Sequence, residues 1–97
     1  MGIRKKPQID YKFNEDELIS QLKEYIDSTY KAHYGSGGLQ SSEVIIDRGH
    51  GIGFFLGNVD KYNARYGKKG NVDDHRKDIM KVLHYALLAL YEHDRTH

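Results

Sequence analysis

Residues 71–93 decide the fold of this chain, and they read NVDDHRKDIMKVLHYALLALYEH. Asn71 followed by Asp73 and Asp74 is the pattern of a helix N-cap, because side-chain oxygens and negative charge stabilise a helix N-terminus. The apolar residues that follow cover well over half of the helix circumference: Ile79, Val82, Leu83, Ala86, Leu87, Ala89 and Leu90. A three-helix monomer cannot bury so wide an apolar surface. We therefore predict a last helix that ends near residue 93 and mediates a homo-oligomer.

The first half of the chain predicts one long helix and one short one. Asn14 with Glu17 forms a capping-box pattern at the start of the long helix, and the glycines of residues 35–38 mark its end. Beyond a flexible connection over residues 35–39, residues 43–48 contain three β-branched residues in a row, which favour a strand. No second strand candidate exists in the sequence to pair with them, so we predict a short helix there.

A third main helix is predicted from about residue 52 to residue 66. Phe55, Val59, Tyr62 and Tyr66 follow one another at i, i+4, i+7 and i+11, so they share one face, which we expect to be the core face. Residues 1–12 have no apolar period and are predicted to form a mobile N-terminal arm. The expected architecture is all-α, with three main helices and one short helix in a single domain of residues 13–97.

Length, charge and composition exclude several classes of protein. A chain of 97 residues forms one domain, and a formal net charge of +1 excludes a uniformly basic nucleic-acid coat. The absence of cysteine excludes disulfides and thiolate metal sites, and it fits a cytoplasmic protein. The longest apolar stretch, residues 85–91, is too short to span a membrane. Six histidines include no HExxH motif, so we expect no metal and no cofactor.

Closely spaced glycines form the most distinctive local motif, GHGIG at residues 49–53. Glycines at a helix start let backbone N–H groups approach a phosphate, and the helix dipole favours the anion. Gly51 and Gly53 are therefore candidate ligand-binding residues. The spacing is neither a dinucleotide fingerprint nor a P-loop. A tight turn that needs positive φ and close helix packing is the alternative interpretation.

A polar stripe follows on the third helix. Asn58, Lys61 and Arg65 lie at i, i+3 and i+7, and Lys69 extends the stripe beyond the helix end. An amide, a guanidinium and ammonium groups on one side suit a phosphate together with a base or ribose edge. A solvated charged face is the alternative. Asn58 favours the ligand interpretation, because asparagine is a poor helix former and this position is not a cap.

These residues resemble a small phage family whose members are labelled nucleotide kinase or left as a domain of unknown function. The resemblance runs from about residue 33 to residue 91, and its most specific part is Phe-x-x-Gly-Asn-x-x-Lys-Tyr-x-x-Arg at residues 54–65. It also includes His33 with Tyr34, a lysine-rich turn, and a last helix that carries Lys77 and Tyr85. Larger members are associated with phosphorylation of deoxynucleoside monophosphates. Small helical phage proteins of this type also resemble sponges that sequester nucleotide second messengers of bacterial immunity.

The resemblance implies a nucleotide ligand and a location in the cytoplasm of an infected bacterial host cell. We expect the ligand to be bound at subunit boundaries and sequestered rather than converted, with no catalytic residue. His33 and Tyr34 are expected to close the pocket from a neighbouring helix. The expected ligand-binding residues are His33, Tyr34, Gly51, Gly53, Asn58, Lys61, Arg65 and Lys69. The alternative is a nucleoside monophosphate kinase or another nucleotide-processing enzyme.

Overall fold

A computed structural model describes residues 8–33 and 38–97 of the chain. This part of the chain contains helices and no strand, which confirms the all-α prediction for it. The four helices are α1 (Glu15–His33), α2 (Gly38–Asp47), α3 (Gly51–Arg65) and α4 (Val72–Thr96).

Helix α4 begins as the sequence predicts. The Asn71 side chain accepts hydrogen bonds from the backbone N–H groups of Asp73 and Asp74, at 3.0 Å and 3.1 Å. The Asp74 carboxylate in turn accepts the backbone N–H of Asn71 at 2.9 Å, which completes a capping box. The helix runs to Thr96, three residues beyond the predicted end.

Other helix boundaries differ from the predictions. Asn14 adopts a φ of 60° instead of the extended backbone of an N-cap, and Glu15 accepts the backbone N–H of Phe13 at 2.9 Å. Helix α2 starts at Gly38, so the end of the predicted flexible connection is helical. A helix that has formed around Val44 gains one backbone hydrogen bond for each residue added upstream. Most of the predicted arm (residues 1–7) and residues 34–37 lie outside the described part.

Helix α4 is the centre of the fold, with α1 and α3 packed on different sides of it. Helix α3 runs antiparallel to α4, because its first residue, Gly51, lies against Glu92 and its last, Arg65, pairs with Asp78. Helix α1 contacts α4 through a hydrogen bond from Arg76 to Gln21 and through a ring contact of Tyr25 with His84. The short helix α2 packs on α3.

The hydrophobic core is small. Among the described residues, the buried hydrophobic side chains are Phe55, Met80 and Ala89. The predicted core face of α3 is confirmed at Phe55, but Tyr66 is 51% exposed. Tyr66 follows the last helical residue, its ψ of 129° turns the chain out of the helix after it, and its ring contacts His75 at the start of α4.

One side of α4 remains uncovered in the protomer. Ile79, Leu83, Leu87 and Leu90 are 43–56% exposed. At 100° per residue they fall within an arc of about 80°. We call these four residues the open face of α4. Lys77, Lys81 and Tyr85 lie on the opposite side of the helix by the same spacing.

Candidate functional site

Aromatic side chains from three helices meet on the sides of α4 that face α1 and α3. Tyr62 of α3 stacks on Tyr85 of α4, with ring centroids 5.9 Å apart and an interplanar angle of 10°. Tyr25 of α1 meets His84 edge to face at 6.2 Å. Phe54 contacts Tyr85 edge to face at 6.4 Å. These residues form the aromatic cluster.

Two lysines lie against one ring of this cluster. The Nζ atoms of Lys61 and Lys81 lie 5.0 Å and 4.8 Å from the Tyr62 ring centroid. Neither lysine takes part in a salt bridge within the described residues. The two ammonium groups therefore lie no more than roughly 10 Å apart around the same ring, and a bound anion would relieve their mutual repulsion.

Burial favours the uncharged forms of Tyr25, Tyr85 and His84. It raises the pKa of the Tyr25 hydroxyl, and the neighbouring Tyr85 and Tyr62 hydroxyls raise that pKa further. Burial also raises the pKa of Tyr85, with a further contribution from Tyr62, and it lowers the pKa of His84. The positive charge of this site therefore comes from the lysines, while the rings provide an apolar surface.

Arg65 has an acidic neighbour that the sequence pattern did not reveal. Its Nε lies 3.7 Å from Oδ1 of Asp78, and its side chain is 42% exposed whereas that of Asp78 is 5% exposed. The sequence predicted Arg65 as part of a polar stripe, and the structure adds that Arg65 forms an ion pair with a buried carboxylate.

Asn58 and Lys69 occupy different surroundings. Asn58 is half-buried, and its Nδ2 donates a hydrogen bond to the backbone carbonyl of Phe54 at 2.9 Å. This bond gives Asn58 a local role within α3, so its unusual position does not by itself require a ligand. Lys69 lies exposed in the turn between α3 and α4.

The glycine motif fits its alternative interpretation at two positions. Gly49 has a φ of +81°, a backbone conformation that residues other than glycine rarely adopt. A Cβ on Gly51 would lie 3.0 Å from Oε2 of Glu92, a buried residue that is also hydrogen-bonded to Arg95. A carboxylate of the protein thus lies beside the N-terminus of α3. The Cβ position of Gly53 faces open space.

The remaining predicted contacts lie at the edge of the described structure. His33 is the last residue of α1, and its side chain lies outside the described part, as does Tyr34. Sequence reasoning missed Tyr25, Lys81 and His84 as site residues. The sequence feature that could have identified Lys81 and His84 is the polar strip of the last helix, on which Lys77, Lys81 and His84 recur at i, i+4 and i+7.

A groove of about 560 Å³ between α1 and α4 adjoins the aromatic cluster at Tyr25. It is lined by Glu17, Gln21, Glu24, Tyr25, Asp73, Arg76, Lys77 and Met80. Within residues 8–33 and 38–97, no three histidine or acidic side chains lie close enough together to hold a metal ion. No helix in this part of the chain has the length and apolar character required to cross a membrane.

Comparison with known proteins identifies a family. The family model described as "Protein of unknown function (DUF3310)" matches residues 28–87, which is more than half of the chain. The chain therefore belongs to this family. The match includes α3 and most of α4, and with them the aromatic cluster apart from Tyr25. No curated protein and no solved structure matches the chain.

Proposed function

We propose that this DUF3310 protein binds a phosphorylated, nucleotide-type ligand at the aromatic cluster and sequesters it without converting it. The observation that carries the proposal is the placement of Lys61 and Lys81 within 5.0 Å of one tyrosine ring, without a carboxylate partner in the described residues. Two unpaired ammonium groups favour an anion, and the neutral rings beside them favour a flat apolar group. A nucleotide combines both chemistries.

The parts of the ligand are assigned by this chemistry. Lys61 and Lys81 bind the phosphate, and Arg65, which lies one helical turn from Lys61, adds a guanidinium with several donors. The base packs against the tyrosine rings, where stacking contributes about 1–3 kcal/mol per base. Asn58, Lys69, His33 and Tyr34 remain predicted ligand contacts. Gly51 and Gly53 are not needed by the proposal.

The proposed assembly is a homo-oligomer that forms through the open face of α4. Tyr85 lies on the opposite side of that helix, and the aromatic cluster draws its residues from three helices of one chain. We therefore place the ligand within each protomer, away from this contact, rather than at the subunit boundary that the sequence suggested. Oligomerisation then brings several ligand sites together in one particle, which suits a sequestering protein.

Mixing the purified protein with a panel of nucleotides and cyclic dinucleotides tests the proposal. We expect at least one compound to bind and to be released chemically unaltered after denaturation. Lys61→Ala and Lys81→Ala should each weaken its binding about 10- to 100-fold, because each removes a charged hydrogen bond to phosphate. Isothermal titration calorimetry gives the affinities, and chromatography of the released compound shows its identity.

Lys31→Ala is the matched control, since it removes an exposed lysine from α1 and should leave binding unchanged. A panel in which no compound binds contradicts the proposal. Recovery of a converted nucleotide supports the alternative of a nucleotide-processing enzyme. If the Lys61→Ala and Lys81→Ala proteins bind the compound as tightly as the Lys31→Ala protein does, the ligand binds elsewhere.

A further inference from the structure

Asp78 is a buried carboxylate whose bonding is incomplete. It is 3% exposed, in a protein with few buried side chains, and its Oδ2 has no hydrogen-bond partner within the described residues. Burying a carboxylate in this way opposes folding, and an apolar residue of similar size would pack at lower cost. Fold stability therefore does not account for an aspartate at this position.

The nearest cation gives Asp78 a role. Its Oδ1 lies 3.7 Å from Nε of Arg65, and this is the only salt bridge in the described residues that joins two different helices. Asp78 is buried and Arg65 is partly exposed, and Nε is the guanidinium atom paired with the carboxylate, in an ion pair longer than a hydrogen bond. The two Nη groups are the donors that suit bidentate binding of a phosphate.

We propose that Asp78 is a positioning residue that holds Arg65 through Nε and directs its Nη groups to the phosphate of the ligand. The inference rests on the proposed function, since it assumes that Arg65 contacts a phosphate. It adds a specific requirement to that function: a carboxylate, which repels an anion, strengthens anion binding by fixing the arginine that binds it.

The sign of one substitution separates positioning from simple electrostatics. Asp78→Asn removes a negative charge beside the site, so Coulomb attraction alone predicts tighter anion binding. Positioning predicts the opposite, a rise of about tenfold in the dissociation constant for inorganic pyrophosphate. Arg65→Lys lacks the Nε contact and should weaken binding to a similar extent. The double variant should bind about as weakly as either single variant, because the two side chains act as one unit.

Asp60→Asn is the matched control, since Asp60 is an exposed carboxylate on α3 and is not part of a described salt bridge. It should leave binding unchanged or tighten it slightly. Thermal unfolding of each variant identifies loss of folding. If Asp78→Asn fails to fold, the measurement moves to Arg65→Lys, for which unchanged affinity overturns the proposal.

A ligand-free measurement tests the contact itself. The Arg65 Nε–H resonance in the NMR spectrum should shift between the wild type and Asp78→Asn, and an unchanged resonance overturns the proposal. Pyrophosphate binding that is unchanged or tighter in Asp78→Asn also overturns it, while the proposed function stands. If no phosphate compound binds the wild-type protein, the proposed function is wrong. The Arg65 Nε–H resonance still shows in that case whether Asp78 holds Arg65.

Discussion

Gly51 and Gly53 have the same sequence context but different surroundings. Both lie in the GHGIG motif, and both are predicted to approach a phosphate with their backbone N–H groups. Gly51 lies against the side chain of Glu92, with its ideal Cβ 3.0–3.2 Å from three atoms of that residue, whereas the Cβ of Gly53 would meet no atom within 4 Å. Replacing each glycine with alanine therefore distinguishes a role in helix packing from a role in ligand contact.

Gly51→Ala should lower the free energy of unfolding by about 1 kcal/mol, because Glu92 is buried, is held by Arg95 and cannot move aside without strain. Gly53→Ala should raise it by about 0.5–1 kcal/mol, since alanine stabilises a helix relative to glycine. Urea denaturation measures both. A Gly53→Ala protein that keeps its stability but loses nucleotide binding would instead support the phosphate cradle.

Helix α4 depends on local features that are complete within its first turn. The Asn71 side chain accepts hydrogen bonds from the backbone N–H groups of Asp73 and Asp74, and the Asp74 side chain accepts one from the backbone N–H of Asn71. The helix that starts there contacts both α1 and α3. Because α1 and α3 both pack on α4, fraying of the α4 N-terminus weakens the whole fold.

Asn71→Ala should lower the free energy of unfolding by about 1 kcal/mol, the usual cost of losing an N-cap side chain. The effect should appear in the global transition followed by circular dichroism. Asn63→Ala is a matched control, because Asn63 is exposed within α3 and alanine is the better helix former. Equal stability of the two variants would show that the capping box contributes nothing.

At the scale of the molecule, the main feature is the exposed apolar surface of α4, where Ile79, Leu83, Leu87 and Leu90 are 43–56% exposed. A stable interface buries about 800 Å² on each partner. The open face of α4 offers an apolar strip for such an interface, and a second copy of the same strip is its natural complement.

Leu87→Lys should dissociate the proposed oligomer without unfolding the protomer, because Leu87 is 44% exposed and a lysine there can extend its charged end into solvent. Sedimentation equilibrium measures the mass, and circular dichroism checks the fold. Leu18→Lys makes the same change at another 44% exposed leucine, on α1, and should leave the mass unchanged. A wild-type mass of 11.2 kDa at high concentration would contradict the assembly.

Helix identity follows from the sequence because its causes are local. Capping atoms lie within three residues of each other at Asn71 and Asp74, and the apolar period of 3.6 residues is repeated within each helix. The same period indicates that α4 is too apolar for its own chain to cover, in agreement with the exposed residues of its open face. It also places Asn58, Lys61 and Arg65 on one side of α3.

The neighbours of those residues depend on how the helices meet. Gly51 and Glu92 are 41 positions apart, and the pairings of Arg65 with Asp78 and of Tyr62 with Tyr85 require a particular register and rotation of α3 against α4. Periodicity within one helix contains no information about that rotation, so sequence reasoning assigned Tyr62 to the core face and Arg65 to a polar stripe without identifying their partners on α4. Long-range packing sets each partner, and with it which cations are free to bind a ligand.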